Sequence, residues 1–129
     1  MKNKSIAYLQ LATAIGTALF WIFFFAVGFE NPGYPSYYTK FEHSFPLPDS
    51  FMIIMLLLAF FNRKNDKWRS FTLIAAGAMI FLGLCDFSFN SMNGMYKVGV
   101  VDGIMNAFIN IWSVGFGIFQ IRSVWRNNF

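Results

Sequence analysis

Residues 62–70 read Asn-Arg-Lys-Asn-Asp-Lys-Trp-Arg-Ser, a short stretch with four basic residues and one acid between two apolar segments. Lysine and arginine concentrate in the short cytoplasmic loops of membrane proteins, where they fix the orientation of the flanking helices. The stretch therefore predicts that the apolar segments on either side of it cross a membrane, and that this loop faces the cytoplasm.

Four apolar segments are visible when the sequence is followed outward from this loop. The first is long enough to cross a hydrocarbon core of roughly 30 Å as a helix, and too long for the roughly 7–15-residue core of a signal peptide, so we expect it to be retained. The second is the shortest, and we expect its helix to start near Pro46, because proline suits the first turn. The segments are Ile6–Phe29, about Pro46–Phe61, Phe71–Phe89 and about Val98–Ile121.

The charges are sorted by sign across these segments. With the N-terminus in the cytoplasm, eight of the ten basic residues lie inside, and five of the six acids lie at or near the outer surface. The inner bases are Lys2, Lys4, Arg63, Lys64, Lys67, Arg69, Arg122 and Arg126. The sequence thus predicts an all-α, polytopic membrane protein, a four-transmembrane-helix bundle with both termini cytoplasmic and a single domain over residues 1–129.

The composition excludes several classes of protein. Only 12% of the residues are charged, against about 25% in soluble domains. The net charge of +4 does not indicate nucleic-acid binding, because the bases lie in short loops beside apolar segments, where they meet anionic lipid headgroups. Cys85 is the only cysteine, which excludes a C-x-x-C thiol oxidoreductase and a cysteine-rich zinc or iron–sulfur site.

Orientation requires only the bases, so the outer acids are candidates for a function. The third and fourth segments each carry an acid followed by asparagine at a spacing of four, which places these side chains on one face of each helix. Polar side chains in a membrane span face the bundle interior, so we expect the two faces to meet. The predicted ligand-binding residues are Asp86, Asp102, Asn90, Asn106, Asn110, Asp49, Glu42 and Glu30.

Several carboxylates at one depth repel one another in a medium of low dielectric. Protonation, a bound cation, or solvation by asparagine and water would relieve this repulsion. Carboxylate and amide oxygens suit calcium or magnesium, and a protonated amine or a lipid headgroup fits equally well. Some of the acids also have structural interpretations, since Asp49 and Asp102 can cap helices and Glu30 can lie in a turn. Asp86 is the strongest candidate because apolar residues flank it on both sides.

Two stretches carry a resemblance to a known family. They are Phe41-Glu42-His43-Ser44-Phe45-Pro46-Leu47-Pro48-Asp49 and Phe81–Asn90, the second running on to Asn93-Gly94-Met95-Tyr96. Together they resemble a family of small uncharacterised bacterial four-helix integral membrane proteins, which implies a place in the bacterial plasma membrane and no particular activity. A more distant similarity is to the sterol-isomerase-like and sigma-2-receptor-like membrane fold, from which no residue is carried over. The family's motifs contain Glu42, Asp49, Asp86 and Asn90.

Three functions stay open. The leading one is a binding protein for a cation, an amine or a lipid headgroup, with an outward-facing acidic polar pocket. The second is a membrane enzyme that acts on a lipid-like substrate by carboxylate acid/base chemistry. The third is an accessory or structural subunit that packs against another membrane protein through faces of small residues. In the first segment, Ala12 and Gly16 are small residues one helical turn apart, which predicts close approach of a neighbouring helix there. The expected partners are the lipid bilayer and such a ligand but no nucleic acid; a homo-oligomer stays open, and no catalytic residue, metal or cofactor is assigned.

Overall fold

The computed structural model describes residues 4–28 and 34–126, which form helices and turns with no β-strand among them. The all-α prediction is confirmed. Glu30, one of the predicted site residues, lies outside the described residues. The helices are α1 (Lys4–Val27), α2 (Tyr38–Glu42), α3 (Pro46–Phe61), α4 (Lys67–Met92) and α5 (Val100–Arg126), with one turn of 3₁₀ helix at Met95–Lys97.

Within the described residues, four helical stretches are long and apolar enough to cross a membrane: Lys4–Val27, Tyr38–Phe61, Lys67–Met92 and Val100–Arg126. The second stretch combines α2 and α3, and α3 starts at Pro46 as predicted. Helix α4 starts before the predicted Phe71, because hydropathy marks only the apolar part of a helix whose first turn is polar.

The helices pack in chain order, α1 on α3, α3 on α4 and α4 on α5. A core cluster at one end joins the starts of α1 and α4 to the ends of α3 and α5, so neighbouring helices run antiparallel. Its residues are Ile6, Ala59, Trp68 and Val124. The described basic residues in the loop after α3, at the start of α1 and at the end of α5 therefore lie at this end. We call it the basic end.

A closed polar network is buried near the basic end. The side-chain amide of Gln10 donates to Thr72 Oγ1 at 2.9 Å and to Gln120 Oε1 at 3.0 Å. The indole N–H of Trp68 donates in turn to Gln10 Oε1 at 3.1 Å. These four side chains are at most 1% exposed, and no buried side-chain N or O of the described residues lacks a partner. The network therefore ties α1, α4 and α5 together with uncharged groups only.

Helices α4 and α5 cross too closely to admit side chains at two glycines. A Cβ on Gly83 would lie 2.9 Å from the Ser113 Cβ, and a Cβ on Gly117 would lie 2.6 Å from Ile80 Cγ1 and 3.0 Å from the Ala76 carbonyl oxygen. Small residues at such crossings allow the backbones to approach, as is common between membrane helices.

Helices α1 and α5 lie at the two ends of this packing order, and long side chains bridge them at mid-length and nearer the basic end. Gln10 bonds Gln120, and Trp112 Nε1 donates to Thr13 Oγ1 at 3.1 Å. Ala12 and Gly16 were predicted to lie at a helix contact, and within this chain that prediction is wrong. Both are exposed, and a Cβ on Gly16 would have nothing within 4 Å.

The segment before α3 covers the end of the bundle opposite the basic end. Tyr38 is buried there, and the Phe41 ring stacks on Phe89 with centroids 3.7 Å apart and planes at 8°. Tyr34 donates its hydroxyl to Asp102 Oδ1 at 3.0 Å. Burial, and then the hydrogen bond to the Asp102 carboxylate, raise the pKa of the Tyr34 phenol above its usual range, so it stays a donor. We call residues 34–45 the cap.

Candidate functional site

A cavity of about 500 Å³ lies between α1 and α5, with α3 and α4 behind it and the cap over its outer end. This is within the range of small-molecule sites, roughly 300–1,000 Å³. Most of its wall is apolar or aromatic, which follows from the apolar sequences of the helices that form it. Wall residues include Phe20, Met52, Leu82, Met105 and Trp112.

Three carboxylates line this cavity, and they come from three different helices. Glu42 ends α2, Asp49 lies in the first turn of α3, and Asp86 lies in the outer half of α4. All three side chains are half-buried. None of the described residues that line the cavity is a lysine, an arginine or a histidine. The described wall of the cavity therefore carries three acidic groups and no basic side chain.

Two buried asparagines hold the Asp86 carboxylate. Asn110 donates its amide to Asp86 Oδ2 at 2.7 Å, and Asn90 donates to the same oxygen at 3.2 Å. Asn90 also donates to Asn110 Oδ1 at 3.0 Å, and that oxygen accepts the hydroxyl of Tyr96. These four side chains, which we call the Asp86 group, join α4, α5 and the 3₁₀ turn, and orient amide dipoles toward one carboxylate.

Asp49 bonds a ring of α1 and does not cap its own helix. The N-cap position of α3 is Phe45, and its side chain makes no capping hydrogen bond. The indole N–H of Trp21 donates to Asp49 Oδ2 at 2.7 Å. Trp21 and Asp49 both line the cavity, so this bond links α1 to α3 on the cavity wall.

The structure brings most of the predicted site residues to one place. Asp86, Asn90 and Asn110 form one hydrogen-bonded group, so the two polar faces of α4 and α5 meet as expected. Five of the predicted residues line the cavity: Glu42, Asp49, Asp86, Asn106 and Asn110.

Asp102 lies apart from this group. It is in the first turn of α5, accepts the Tyr34 hydroxyl, and is not among the described residues that line the cavity. It shares a helical face with Asn110, but eight residues of helix separate the two by about 12 Å. The spacing of four residues correctly placed Asp102 and Asn110 on one face of α5. It did not show that only Asn110 lies at the level of the cavity.

Sequence reasoning missed two side chains that bond the site residues. Trp21 was part of an apolar segment, and Tyr96 was placed in a linking loop. One signal pointed to the first of them, because a buried indole N–H usually finds an acceptor, and the apolar segments offer few. The second carried no such signal, since the turn that brings Tyr96 to Asn110 is set by the tertiary fold.

Among residues 4–28 and 34–126, no three His, Cys, Asp or Glu side chains are close enough to hold one metal ion.

Comparisons of the chain with known protein families, with curated proteins and with solved structures find no match. The resemblance noted from the sequence therefore stays a prediction, and the function is argued from the site alone.

Proposed function

We propose that this chain is an integral membrane protein that crosses the bilayer four times, with both termini in the cytoplasm. Four helical stretches of the described residues have the necessary length and hydropathy. The loop after α3 lies at the same end of the bundle as the start of α1 and the end of α5. Most of the described basic residues thus lie at one end, and by the positive-inside rule we place that end in the cytoplasm.

Cysteine labelling tests this topology directly. In a Cys85→Ser background, Lys64→Cys would mark the loop between α3 and α4, and Ser36→Cys would mark the cap. We expect a membrane-impermeant maleimide to label the Ser36→Cys variant on intact cells, and the Lys64→Cys variant only after permeabilisation. The reverse pattern would overturn the orientation, and labelling of both on intact cells would overturn the membrane placement.

We propose that the cavity binds a ligand with a positively charged amine, either a free amine or the amine of a lipid headgroup. The observation that carries this proposal is the set of three carboxylates on a cavity wall without a basic residue. Taking such charges out of water is costly unless a partner compensates them, and opposite charge is the strongest compensation in a low dielectric. An amine-bearing ligand supplies that charge.

The apolar wall favours an organic cation over a small inorganic one. A primary ammonium has three N–H donors, which carboxylate oxygens can accept. Its carbon substituents would contact apolar residues, whereas a metal ion with its water shell gains nothing from them. Rings beside the carboxylates, such as Trp21 and Phe45, also stabilise a cation by cation–π interaction. In this assignment Asp86 is the principal counter-charge, because two amides hold it in place.

Thermal unfolding in detergent tests the proposal, at pH values between about 5 and 8, with calcium, magnesium and a panel of amines. We expect an amine to raise the melting temperature of the wild type, because a ligand at 100 times its Kd stabilises the folded state by about 2.7 kcal/mol. Asp86→Asn should lose that shift. It is close to isosteric and keeps an oxygen for the two amide donors, so its melting temperature without ligand should stay near that of the wild type.

Asp66→Asn is the matched control. It removes an acid from the loop at the basic end, and this acid does not line the cavity. Asp66 makes no side-chain capping bond to α4. This variant should keep the amine shift of the wild type. A wild type that no amine, calcium or magnesium stabilises would contradict the binding proposal, as would an Asp86→Asn variant that keeps the full shift.

An enzyme acting on a lipid-like substrate is a second proposal, and the same geometry favours it. A carboxylic acid beside apolar side chains can hold a proton at neutral pH and donate it to a substrate. Incubation with extracted membrane lipids, followed by mass spectrometry, tests it. We expect a product that forms with wild type and not with Asp86→Asn; identical lipid profiles with both would contradict an enzymatic role for Asp86.

An accessory subunit is a third proposal, and the glycines of α4 distinguish it. Gly77 is exposed with nothing near its Cβ position, so a side chain there affects packing only against another protein. Gly83 packs on Ser113, so its substitution would disturb the fold itself. Under this proposal Gly77→Leu abolishes co-purification of a partner while the melting temperature is unchanged. Normal co-purification with Gly77→Leu would contradict a partner at this face.

A further inference from the structure

The cavity opens sideways between α1 and α5. Gln120, near the end of α5, bonds Gln10, and Trp112, in the middle of α5, bonds Thr13 of α1. Gly16 of α1 lies on the outer side of the Trp112–Thr13 bond, and Ala12 lies beside it. Both are exposed small residues, and Phe108 of α5 is 65% exposed. All three residues line the cavity and are exposed. We call this gap the side opening.

The side opening lies near the middle of the two helices. Gly16 is central in α1 (Lys4–Val27), and Phe108 lies about a third of the way along α5 (Val100–Arg126). If these helices cross the bilayer, the opening faces the acyl chains and not the headgroups or water.

The outer end of the cavity is covered, in contrast. Tyr38 of the cap is 7% exposed, Phe41 stacks on Phe89, and Tyr34 bonds Asp102. A ligand that came from the outer aqueous phase would have to displace this packed cap. A ligand that came from the bilayer would meet small side chains at an existing gap.

We infer that the ligand is a single-chain amine amphiphile dissolved in the bilayer, and that it enters through the side opening. The inference rests on the proposed function, and it adds the class of ligand and its route. The ammonium group would reach the carboxylates at the outer end of the cavity, with Asp86 as its main partner. The alkyl chain would lie along the apolar wall beside Phe20 and Met105 and leave the cavity through the side opening.

Gly16→Phe is the variant that tests the route. A side chain at this position meets nothing within 4 Å of its Cβ, so it fills the side opening without a steric conflict at the backbone. Gly115→Phe is the matched control. Gly115 is also an exposed helical glycine with nothing within 4 Å of its Cβ position, and it does not line the cavity.

The experiment uses the full chain in phosphatidylcholine nanodiscs with a dodecylamine probe that carries a photoreactive diazirine on its chain. Mass spectrometry locates the cross-links. We expect cross-links to line up along the side opening and to disappear with excess unlabelled dodecylamine. Dodecanol, which lacks the charge, and ethylamine, which lacks the chain, should each compete about tenfold more weakly or worse. Gly16→Phe should reduce the competed labelling by about fivefold or more, and Gly115→Phe should leave it unchanged.

The failures of the route and of the binding site are distinguishable. If amines stabilise the wild type through Asp86, but Gly16→Phe is labelled as strongly as the wild type, the side entrance is overturned and the binding site stands. Ethylamine that competes as well as dodecylamine overturns the single-chain ligand. Labelling that spreads over the outer surface and resists competition, together with no amine shift in the wild type, overturns both proposals.

Discussion

The Gln10 network lies near the basic end and the Asp86 group lies near the cap. Both are built from hydrogen-bonded side-chain amides, but they differ in charge and in exposure. In both, side-chain amides cross between helices and leave no buried polar atom of the described residues without a partner. The inner network is uncharged, and its side chains are at most 1% exposed. The outer group contains a carboxylate that is half-buried on the wall of a cavity.

The difference indicates what each cluster does. Polar side chains within a membrane span are costly and need compensation. In the Gln10 network the members compensate one another, so nothing remains for a ligand to satisfy. In the Asp86 group two amides hold a carboxyl group on the wall of an open cavity, and no basic side chain of the described lining compensates it. We therefore propose that the inner cluster serves stability and the outer one serves binding.

The largest expected effect on stability comes from Gln10→Ala. This change leaves the Trp68 indole without its acceptor and opens a cavity between three helices, so the free energy of unfolding should fall by roughly 2–4 kcal/mol. Amine affinity should stay within about twofold, because the cavity carboxylates are untouched. Unfolding in mixed detergent micelles measures the first quantity. Leu19→Ala, at an exposed position of the same helix, is the control, and equal losses for both would contradict the structural role.

The next effect concerns the crossing of α4 and α5. Gly117→Ala forces a methyl group against Ile80 and the Ala76 carbonyl, so the free energy of unfolding should fall by about 1–3 kcal/mol. Gly115→Ala, two residues earlier in open space, should raise it by up to about 1 kcal/mol, because alanine favours a helix over glycine. The same unfolding assay compares the pair. A Gly117→Ala variant as stable as Gly115→Ala would show that the helices are not in close contact there.

Asn110→Ala acts on the outer group and should weaken amine binding. It removes the 2.7 Å hydrogen bond to Asp86, so the carboxylate loses its fixed position. We expect amine affinity to fall about tenfold, which corresponds to about 1.4 kcal/mol. The free energy of unfolding should also fall, because Asn90 and Tyr96 lose the oxygen that accepts their hydrogen bonds. Equilibrium dialysis with a radiolabelled amine measures the affinity. Asn65→Ala, in the loop at the basic end, should bind like the wild type, and a loss as large as that of Asn110→Ala would reject a specific role for the Asp86 group.

The smallest effect is expected from Tyr34→Phe. It removes the hydrogen bond between the cap and Asp102, so the free energy of unfolding should fall by about 0.5–1 kcal/mol. Amine affinity should not change, because Asp102 lies outside the cavity lining. The two assays described above measure both quantities. A marked loss of amine affinity would return Asp102 to the binding site.

Hydropathy and charge predicted the helical stretches and the location of bases at one end, because both are properties of short sequence windows. The start of α3 at Pro46 followed from the geometry of proline, and the meeting of Asp86 with Asn110 followed from helical spacing. These features depend on local rules that the sequence expresses directly.

The remaining features depend on which helices pack together. Periodicity assigns a residue to a face and not to a neighbour, so Ala12 and Gly16 were expected at a helix contact and instead border the side opening. The position of the cap does not follow from the sequence, because a helix of five residues has no usable apolar period. The absence of Asp102 from the described cavity lining likewise depends on tertiary structure, since Asp102 bonds Tyr34 of the cap.

The most direct test of the assignment is a crossed comparison of Gln10→Ala and Asp86→Asn in one thermal unfolding experiment, with and without a saturating long-chain amine. We predict that Gln10→Ala melts well below the wild type and keeps the full amine shift, while Asp86→Asn melts near the wild type and shows no shift. An Asp86→Asn variant that keeps the shift, or a Gln10→Ala variant that loses it while its melting temperature is unchanged, would contradict the division between a structural and a binding cluster.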